Sequence, residues 1–356
     1  MAEKIKKITG MRLFMPIVCL FIVLLVNVIR TPDFFNITLK DGQLSGWLID
    51  VINRGSELVI LAIGMTLVTA ASGGQDISVG AVMAVAAAVC CQILSGGEVS
   101  TNTLAAPIII AAIAGILVAA LCGAFNGFLV AKLNIQPMVA TLILFTAGRG
   151  IAQLVTQGQI TYVRVESYKA MGGFLGPIPT PVIFAVAAVV VAYLVLNKTA
   201  LGMYIESVGI NSHASRLIGL NSTRIKFLTY VICGALAGLA GIVASSRIYS
   251  ADANNIGLNL EMDAILAVAL GGNILSGGKF SLMGSVIGAY TIQALTTTLY
   301  AMSVPSDQLP VYKAIVVIII VVLQSPVYKK AMQNYKAKGQ SKKAVVQGGE
   351  QYWVNF

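Results

Sequence analysis

Charge is scarce in this chain: only 11% of its 356 residues are Asp, Glu, Lys or Arg, while 57% are hydrophobic. Soluble domains carry roughly 25% charged residues. With a mean hydropathy of +0.85, the chain holds more apolar surface than a water-soluble core could hide, so lipid must be its main solvent. No polar stretch is long enough to form a separate soluble domain. Histidine is almost missing: His213 stands alone, which excludes a multi-histidine metal site. The five cysteines, Cys19, Cys90, Cys91, Cys122 and Cys233, all lie in apolar segments with no C-x-x-C spacing, and read as buried small side chains.

Catalytic motifs are absent as well. A nucleotide-binding P-loop needs G-x-x-x-x-G-K-[ST]. The nearest match ends in Gly278-Lys279-Phe280, with Asn273 where the first glycine belongs and Phe280 where the hydroxyl belongs. Neither G-x-S-x-G nor H-E-x-x-H occurs. The chain therefore brings no ATPase, hydrolase, metal or cofactor chemistry of its own.

What is present is a series of apolar runs. About 20 residues cross a ~30 Å hydrocarbon core as a helix. Ten runs reach or approach that length, at about 12–30, 55–72, 77–95, 105–131, 136–157, 180–197, 225–246, 259–273, 281–302 and 311–328. The predicted fold is an all-α polytopic membrane protein of about ten transmembrane helices. The first run follows Lys4, Lys6, Lys7 and Arg12 as a signal peptide would, yet it is long and no small-residue cleavage site follows Arg30. The third and eighth runs adjoin Ser72-Gly73-Gly74-Gln75-Asp76 and Gly271-Gly272-Asn273, where a helix could be broken or partly re-entrant.

The net charge of +10 is unevenly placed, and no basic face alternates with aromatics as in a nucleic-acid binder. With ten spans, sixteen Lys and Arg residues fall on the side of both termini and seven on the other, with Arg149 inside a span. The positive-inside rule puts both termini in the cytoplasm. The expected divisions are a cytoplasmic N-terminus at 1–11, a transmembrane domain at 12–328 with a cytoplasmic loop at about 198–224, and a basic cytoplasmic tail at 329–356 suited to anionic lipid. Small residues such as Gly115, Gly123, Gly127 and the run Gly234–Gly241 suit close helix packing.

Polar groups at membrane depth are costly and need a reason. Asp76, preceded by Gln75, either caps the next helix or takes part in gating or solute passage. Arg149 either snorkels or pairs with a carboxylate such as Asp263 or Glu57. The segment 249–263 carries Asp252, Asn254, Asn255, Asn259, Glu261 and Asp263. Amides and carboxylates suit a hydroxyl-rich ligand and equally suit a polar turn capping a helix. In the loop 198–224, Ser212 to Leu220 can form a short helix with Ala214, Leu217 and Ile218 on one face. Such a helix lies on lipid or docks a soluble partner.

Residues 206–219 (Glu-Ser-Val-Gly-Ile-Asn-Ser-His-Ala-Ser-Arg-Leu-Ile-Gly) resemble the cytoplasmic coupling motif of carbohydrate-importing ABC permeases of the ribose/xylose/galactose class. Ala62–Val68 followed by Gly73–Gly80 resembles an early signature of that family, and Ile135–Leu142 another. The likeness runs in order over roughly 45–328. Ser250–Asn255 and Asp41–Leu44 are most similar to galactofuranose-type permeases. The sequence departs from the pattern at Gln75, where an aliphatic residue is usual, and at Ser207 and Ser215, where alanine is common. Gln75 bears on the polarity of the passage.

The resemblance implies an ABC importer permease in the bacterial cytoplasmic membrane, paired with a second permease subunit. Its partners would be a cytoplasmic ABC ATPase and an extracytoplasmic sugar-binding protein. It implies coupling roles for Glu206, Gly209, Asn211, Ala214, Arg216 and Gly219; the polar residues Gln75, Asp76, Arg149, Asn254, Asn255 and Asp263 are the candidates for passage or gating. The rival reading, an ion-coupled secondary transporter or facilitator, would use Asp76, Arg149 and Asp263 as its mid-membrane cluster.

Overall fold

The computed structural model describes residues 13–40 and 42–324. The N-terminal segment 1–11, the tail 329–356 with its lysines, Arg12 and Asp41 lie outside the described residues. The chain divides into two compact units at Ser306 and Asp307.

In the first unit the helices are α1 (Phe14–Arg30), α2 (Trp47–Ser72), α3 (Val79–Ser95), α4 (Ile108–Ala131), α5 (Pro137–Val155), the short α6 (Glu166–Lys169), α7 (Thr180–Lys198), α8 (Leu201–Ile210), α9 (Ser212–Leu217), α10 (Ser222–Arg247), α11 (Leu260–Leu270) and α12 (Leu282–Ala301). The second unit contributes α13 (Leu309–Gln324). Among the described residues, five helices, α2, α4, α5, α7 and α10, are long and apolar enough to cross a membrane. Short strands sit between helices: β1 (Thr38–Lys40) pairs with β2 (Gln43–Ser45), β5 (Phe174–Leu175) with β6 (Ile178–Pro179), and β3 (Ser100–Thr101), β4 (Thr161–Val163) and β7 (Ser250–Ala251) form one small sheet in the order β3-β4-β7.

Most expected boundaries fall within a few residues of the observed ones, because glycine and proline punctuate them. Gly73 and Gly96 end α2 and α3 in the left-handed conformation, at φ 68° and 65°. Pro137 opens α5, where its missing N–H is no loss. Two runs differ from expectation. The second helix begins at Trp47 rather than near 55, since its polar first turns, with Asp50 and Arg54, still satisfy their backbone as helix. The eighth is only 11 residues, about 17 Å long, and cannot cross a bilayer core.

The bundle is organised by exposure. In α2, 94% of the most apolar window is buried inside the protein, against 17% in α7. An apolar helix with open flanks, such as α7 with Ile183, Val186, Val190, Val191 and Leu194, has lipid as its natural neighbour. The small-residue runs do what their composition predicts: α4 crosses α10 so closely that a Cβ added to Gly123 would lie 3.1 Å from the Cα of Gly234.

Polar ties lock the buried helices. Thr66 donates to Ser285 at 2.6 Å, and Ser285 accepts from Asn273 at 2.7 Å, fastening the glycine-rich turn after α11 to α2 and α12. At the opposite end, Arg247 of α10 meets Glu57 of α2 at 2.9 Å and reaches Asn53 Oδ1 at 3.3 Å. Removing Glu57 strands a mostly buried guanidinium, at a cost of about 2–3 kcal/mol. Glu57→Ala is therefore expected to lower the melting temperature of the detergent-purified protein. The Glu57→Ala/Arg247→Ala pair should cost less than the sum of its singles; strict additivity would show that the two side chains do not interact.

Candidate functional site

Two regions gather most of the residues singled out by sequence. The first is the loop between α7 and α10. Asn211 ends α8 in extended conformation and caps α9, its Oδ1 accepting from the N–H groups of His213 and Ala214, both at 3.0 Å. This is the donor satisfaction that makes asparagine a favoured N-cap. Ser215 donates to the Asn211 carbonyl at 2.9 Å, Ser222 to that of Ser212 at 2.9 Å, and Asn221 caps α10 through Arg224 N at 2.9 Å. Gly219 supplies the left-handed residue, φ 87°, that turns the chain from α9 toward α10.

The result is a short helix held firmly from beneath and bare on top. Leu217 is 90% exposed and Ile218 74%. Ala214, Arg216 and Gly219 are exposed beside them, and Glu206 is half-buried on α8. Arg216 and Gly219, with Leu220, Asn221 and Ser222, line a cleft of ≈ 340 Å³. Ser215, one of the departures from the family pattern, is buried beneath the helix.

Gly209 is different. It turns inward, and an added Cβ would overlap the Ala70 carbonyl of α2 and lie 2.6 Å from Gly278 N. Gly278 N itself donates to the Ala70 carbonyl at 2.9 Å, and a Cβ on Gly73 would be 2.7 Å from the Ser276 carbonyl. The end of α2, the end of α8 and the turn at 276–278 thus meet backbone against backbone. Side chains can hop rotamers; backbones in contact move together.

The second region surrounds the non-helical segment between β7 and α11. Ala251 of β7 pairs with Thr161, whose hydroxyl reaches Gln92 of α3 at 3.3 Å. Further along, Gly257 lies against Gly80 in the first turn of α3, 2.5 Å separating its would-be Cβ from the Gly80 carbonyl. Gln92 and Gly80 are about 18 Å apart along that helix. Segment 251–257 therefore descends beside α3 deep into the bundle before α11 begins, which is why α11 is short.

Arg149 of α5 holds this descending segment. Its Nη1 donates to the carbonyls of Ala253 at 3.0 Å and Ile256 at 2.5 Å. The sequence suggested a carboxylate partner, Asp263 or Glu57; the observed contacts are peptide carbonyls, and Glu57 is engaged with Arg247. Asp252 caps the turn, accepting from Asn254 N at 2.9 Å, Asn255 N at 3.2 Å and Asn255 Nδ2 at 2.7 Å. Asn254 and Asn255 point outward, and Asp263 is half-buried on α11.

Asp76 lies elsewhere, before α3. It is 2% exposed, and its Oδ1 accepts from Ser78 N at 2.9 Å and Ser78 Oγ at 2.6 Å. These bonds close a turn just ahead of the helix rather than cap it: Ser78 is the N-cap residue, and among the described residues no side chain accepts from the first N–H groups of α3. Asn126, from α4, donates to Ser78 Oγ at 2.8 Å and stands 3.4 Å from Asp76. Gln75 beside it is half-buried.

Two participants escaped the sequence reading. Asn126 is a polar residue within an apolar run, and Gln153 lies four residues after Arg149 and so on the same helix face. Glu261, already noted in the polar segment, is 2% exposed and packs its carboxylate against Gly80.

Comparison with known proteins bears on the whole arrangement. The chain is 45% identical over 323 residues to the galactofuranose transporter permease protein YtfT of Escherichia coli K12, covering 90% of this chain and 92% of the relative. It is 38% identical over 341 residues to the fructose import permease protein FruF of Bifidobacterium longum, covering 94% and 93%. The ribose import permease protein RbsC of Escherichia coli K12 is 33% identical over 314 residues, covering 87% and 92%. No solved structure matches the chain. Residues 47–324, which include both regions described above, match the family described as the permease component of the branched-chain amino acid transport system, and the chain belongs to that permease family.

Proposed function

We propose that this chain is the membrane-spanning subunit of an ATP-driven importer for a sugar, galactofuranose or a related monosaccharide. It resides in the bacterial cytoplasmic membrane with about ten spans, both termini and the 198–224 loop facing the cytoplasm. A cytoplasmic ABC ATPase supplies energy, an extracytoplasmic sugar-binding protein delivers the ligand, and a second permease subunit completes the passage. Its similarity to permeases for galactofuranose, fructose and ribose supports the substrate class.

The observation that carries the reading is the α8–α9 unit. A bare apolar knob on a rigidly capped helix is a docking element, and Gly209 ties it by backbone contact to the end of α2, the most deeply buried span. A push on α9 is thereby delivered to the centre of the bundle rather than absorbed in side chains. Rigid-body movement of packed helices is a normal way to switch states. Ala214, Arg216, Gly219 and the apolar pair Leu217 and Ile218 form the docking face, with Glu206 beside it and Asn211 setting the helix. Gln75, Asp76, Arg149, Asn254, Asn255 and Asp263 belong to the passage or its support.

The test is copurification in detergent with the ABC ATPase co-expressed from the same source, followed by uptake in membrane vesicles. Arg216→Glu, which reverses a charge on the docking face, and Leu217→Asp, which puts a charge in place of an apolar contact, are each expected to cut both ATPase recovery and ATP-driven uptake at least about tenfold, a cost of about 1.4 kcal/mol. Uptake that ignores ATP but collapses with an uncoupler would overturn the reading in favour of an ion-coupled carrier.

A further inference from the structure

Along α5 the open face is mainly apolar, with Leu142, Ile143, Ile151 and Leu154 exposed. Gln153 interrupts it. Its Nε2 donates to Asn254 Oδ1 at 2.6 Å, and both amides are exposed. Among the described residues, Gln153 Oε1 and Asn254 Nδ2 have no hydrogen-bond partner, leaving one acceptor and one donor side by side.

Asn254 is not a floppy loop residue. Asp252 fixes the turn from before it, Arg149 clamps the carbonyls on either side of it, and Ala253 and Ile256 are buried. Gln153 stands one helical turn from Arg149 on the same face, so the helix that anchors the turn also supplies the partner amide. The pair sits near the end of α5 that adjoins β4 and β7, the end assigned to the outside under the proposed topology.

We propose that Gln153 and Asn254 form a two-amide selector at the outer mouth of the passage, where hydroxyls of the incoming solute replace the Gln153–Asn254 hydrogen bond. An amide carries both a donor and an acceptor, as a hydroxyl does. Opening the pair onto adjacent hydroxyls therefore trades one hydrogen bond for two without leaving a polar group unsatisfied. A solute lacking a hydroxyl at that spacing cannot make the trade and leaves the amides closed on each other. Discrimination is strong where a site's polar groups would otherwise go unpaired. This inference rests on the sugar-permease reading and adds residues to it, Gln153 above all.

The test uses the intact importer in membrane vesicles, with its own ATPase and binding protein, and labelled galactose, ribose and fructose as probes. Gln153→Met keeps length and loses the amide; Asn254→Ala removes the partner. The expected result is at least a tenfold change in the ratio of initial uptake rates between sugars, with ATPase recovery unchanged. Equal loss for every sugar would mean a structural role and overturn the selector. In the Gln153→Cys/Asn254→Cys pair, oxidation is expected to block uptake and a reductant to restore it; full uptake by the cross-linked pair would overturn it as well. A parent protein that imports none of the three sugars under ATP would sink the sugar reading and the selector together. A working parent with unselective variants would sink the selector alone.

Discussion

Gly209→Val is expected to abolish coupled transport while leaving most of the membrane bundle folded. The substitution places branched carbon atoms where the Ala70 carbonyl and the Gly278 amide already stand, and both are backbone. Neither can swing aside as a side-chain tip would. The end of α8 must lift from the end of α2, and the Gly278 N to Ala70 carbonyl bond at 2.9 Å is lost or strained in the process. Overpacking of this kind typically costs about 1–3 kcal/mol. The bundle can bear that; the coupling contact cannot, because α9 is carried on α8. ATP-driven uptake is expected to fall at least about thirtyfold, an effect of about 2 kcal/mol on the coupled state. Tryptophan fluorescence melts in detergent should shift only modestly. Wild-type uptake by Gly209→Val would mean that force does not pass through this contact. A milder Gly209→Ala change should show a smaller defect of the same kind.

The second large effect is expected at Arg149. Its Nη1 satisfies two peptide carbonyls on a segment that runs inside the bundle, where no helix ladder is available to them. A hydrogen bond to a charged donor contributes about 1.5–3 kcal/mol, and a buried acceptor left unmatched costs about 1–3. Arg149→Leu therefore removes the clamp and leaves two carbonyls in apolar surroundings. The turn at 253–256 should loosen and Asn254 should lose its fixed position. Uptake is expected to drop at least about tenfold, and spin labels placed at Asn255 should report a broader set of conformations. Arg149→Lys, which keeps a charge but not the planar fork, should fall between the two. If Arg149→Leu imports normally with a rigid turn, the guanidinium is not the support of this segment.

Several features were legible because they are local. The apolar runs announce their helices, since burial of a helix in lipid depends on a sum over about 20 neighbouring residues. Ser212 to Leu220 reads as a short helix, and α9 covers Ser212–Leu217 of it. The run at 259–273 adjoins Gly271-Gly272-Asn273, the mark of a broken helix, and the 11-residue α11 is its structural form. The small-residue faces of α4 and α10 meet as their composition suggests. The early start of α2 at Trp47 was hidden because polar residues in its first turns look like loop when hydropathy alone is counted.

Other features depend on distances in sequence of a hundred residues or more. Arg149 finds carbonyls at 253 and 256, and a peptide carbonyl has no letter in the sequence to mark it. Arg247 finds Glu57 across the bundle, and Gln153 finds Asn254. Gly209 looked like part of a surface motif; its fit against Ala70 makes it a joint in the interior.

The sequence by itself determined that this chain lives in a membrane and that it breaks into apolar helices at its glycines and prolines. Those properties follow from composition and short-range spacing. The tertiary structure alone decided which buried polar groups satisfy one another and which backbones touch. In a lipid-solvated bundle hydropathy selects what is buried but not against what, so the partners are set by the packing of helices far apart in the chain.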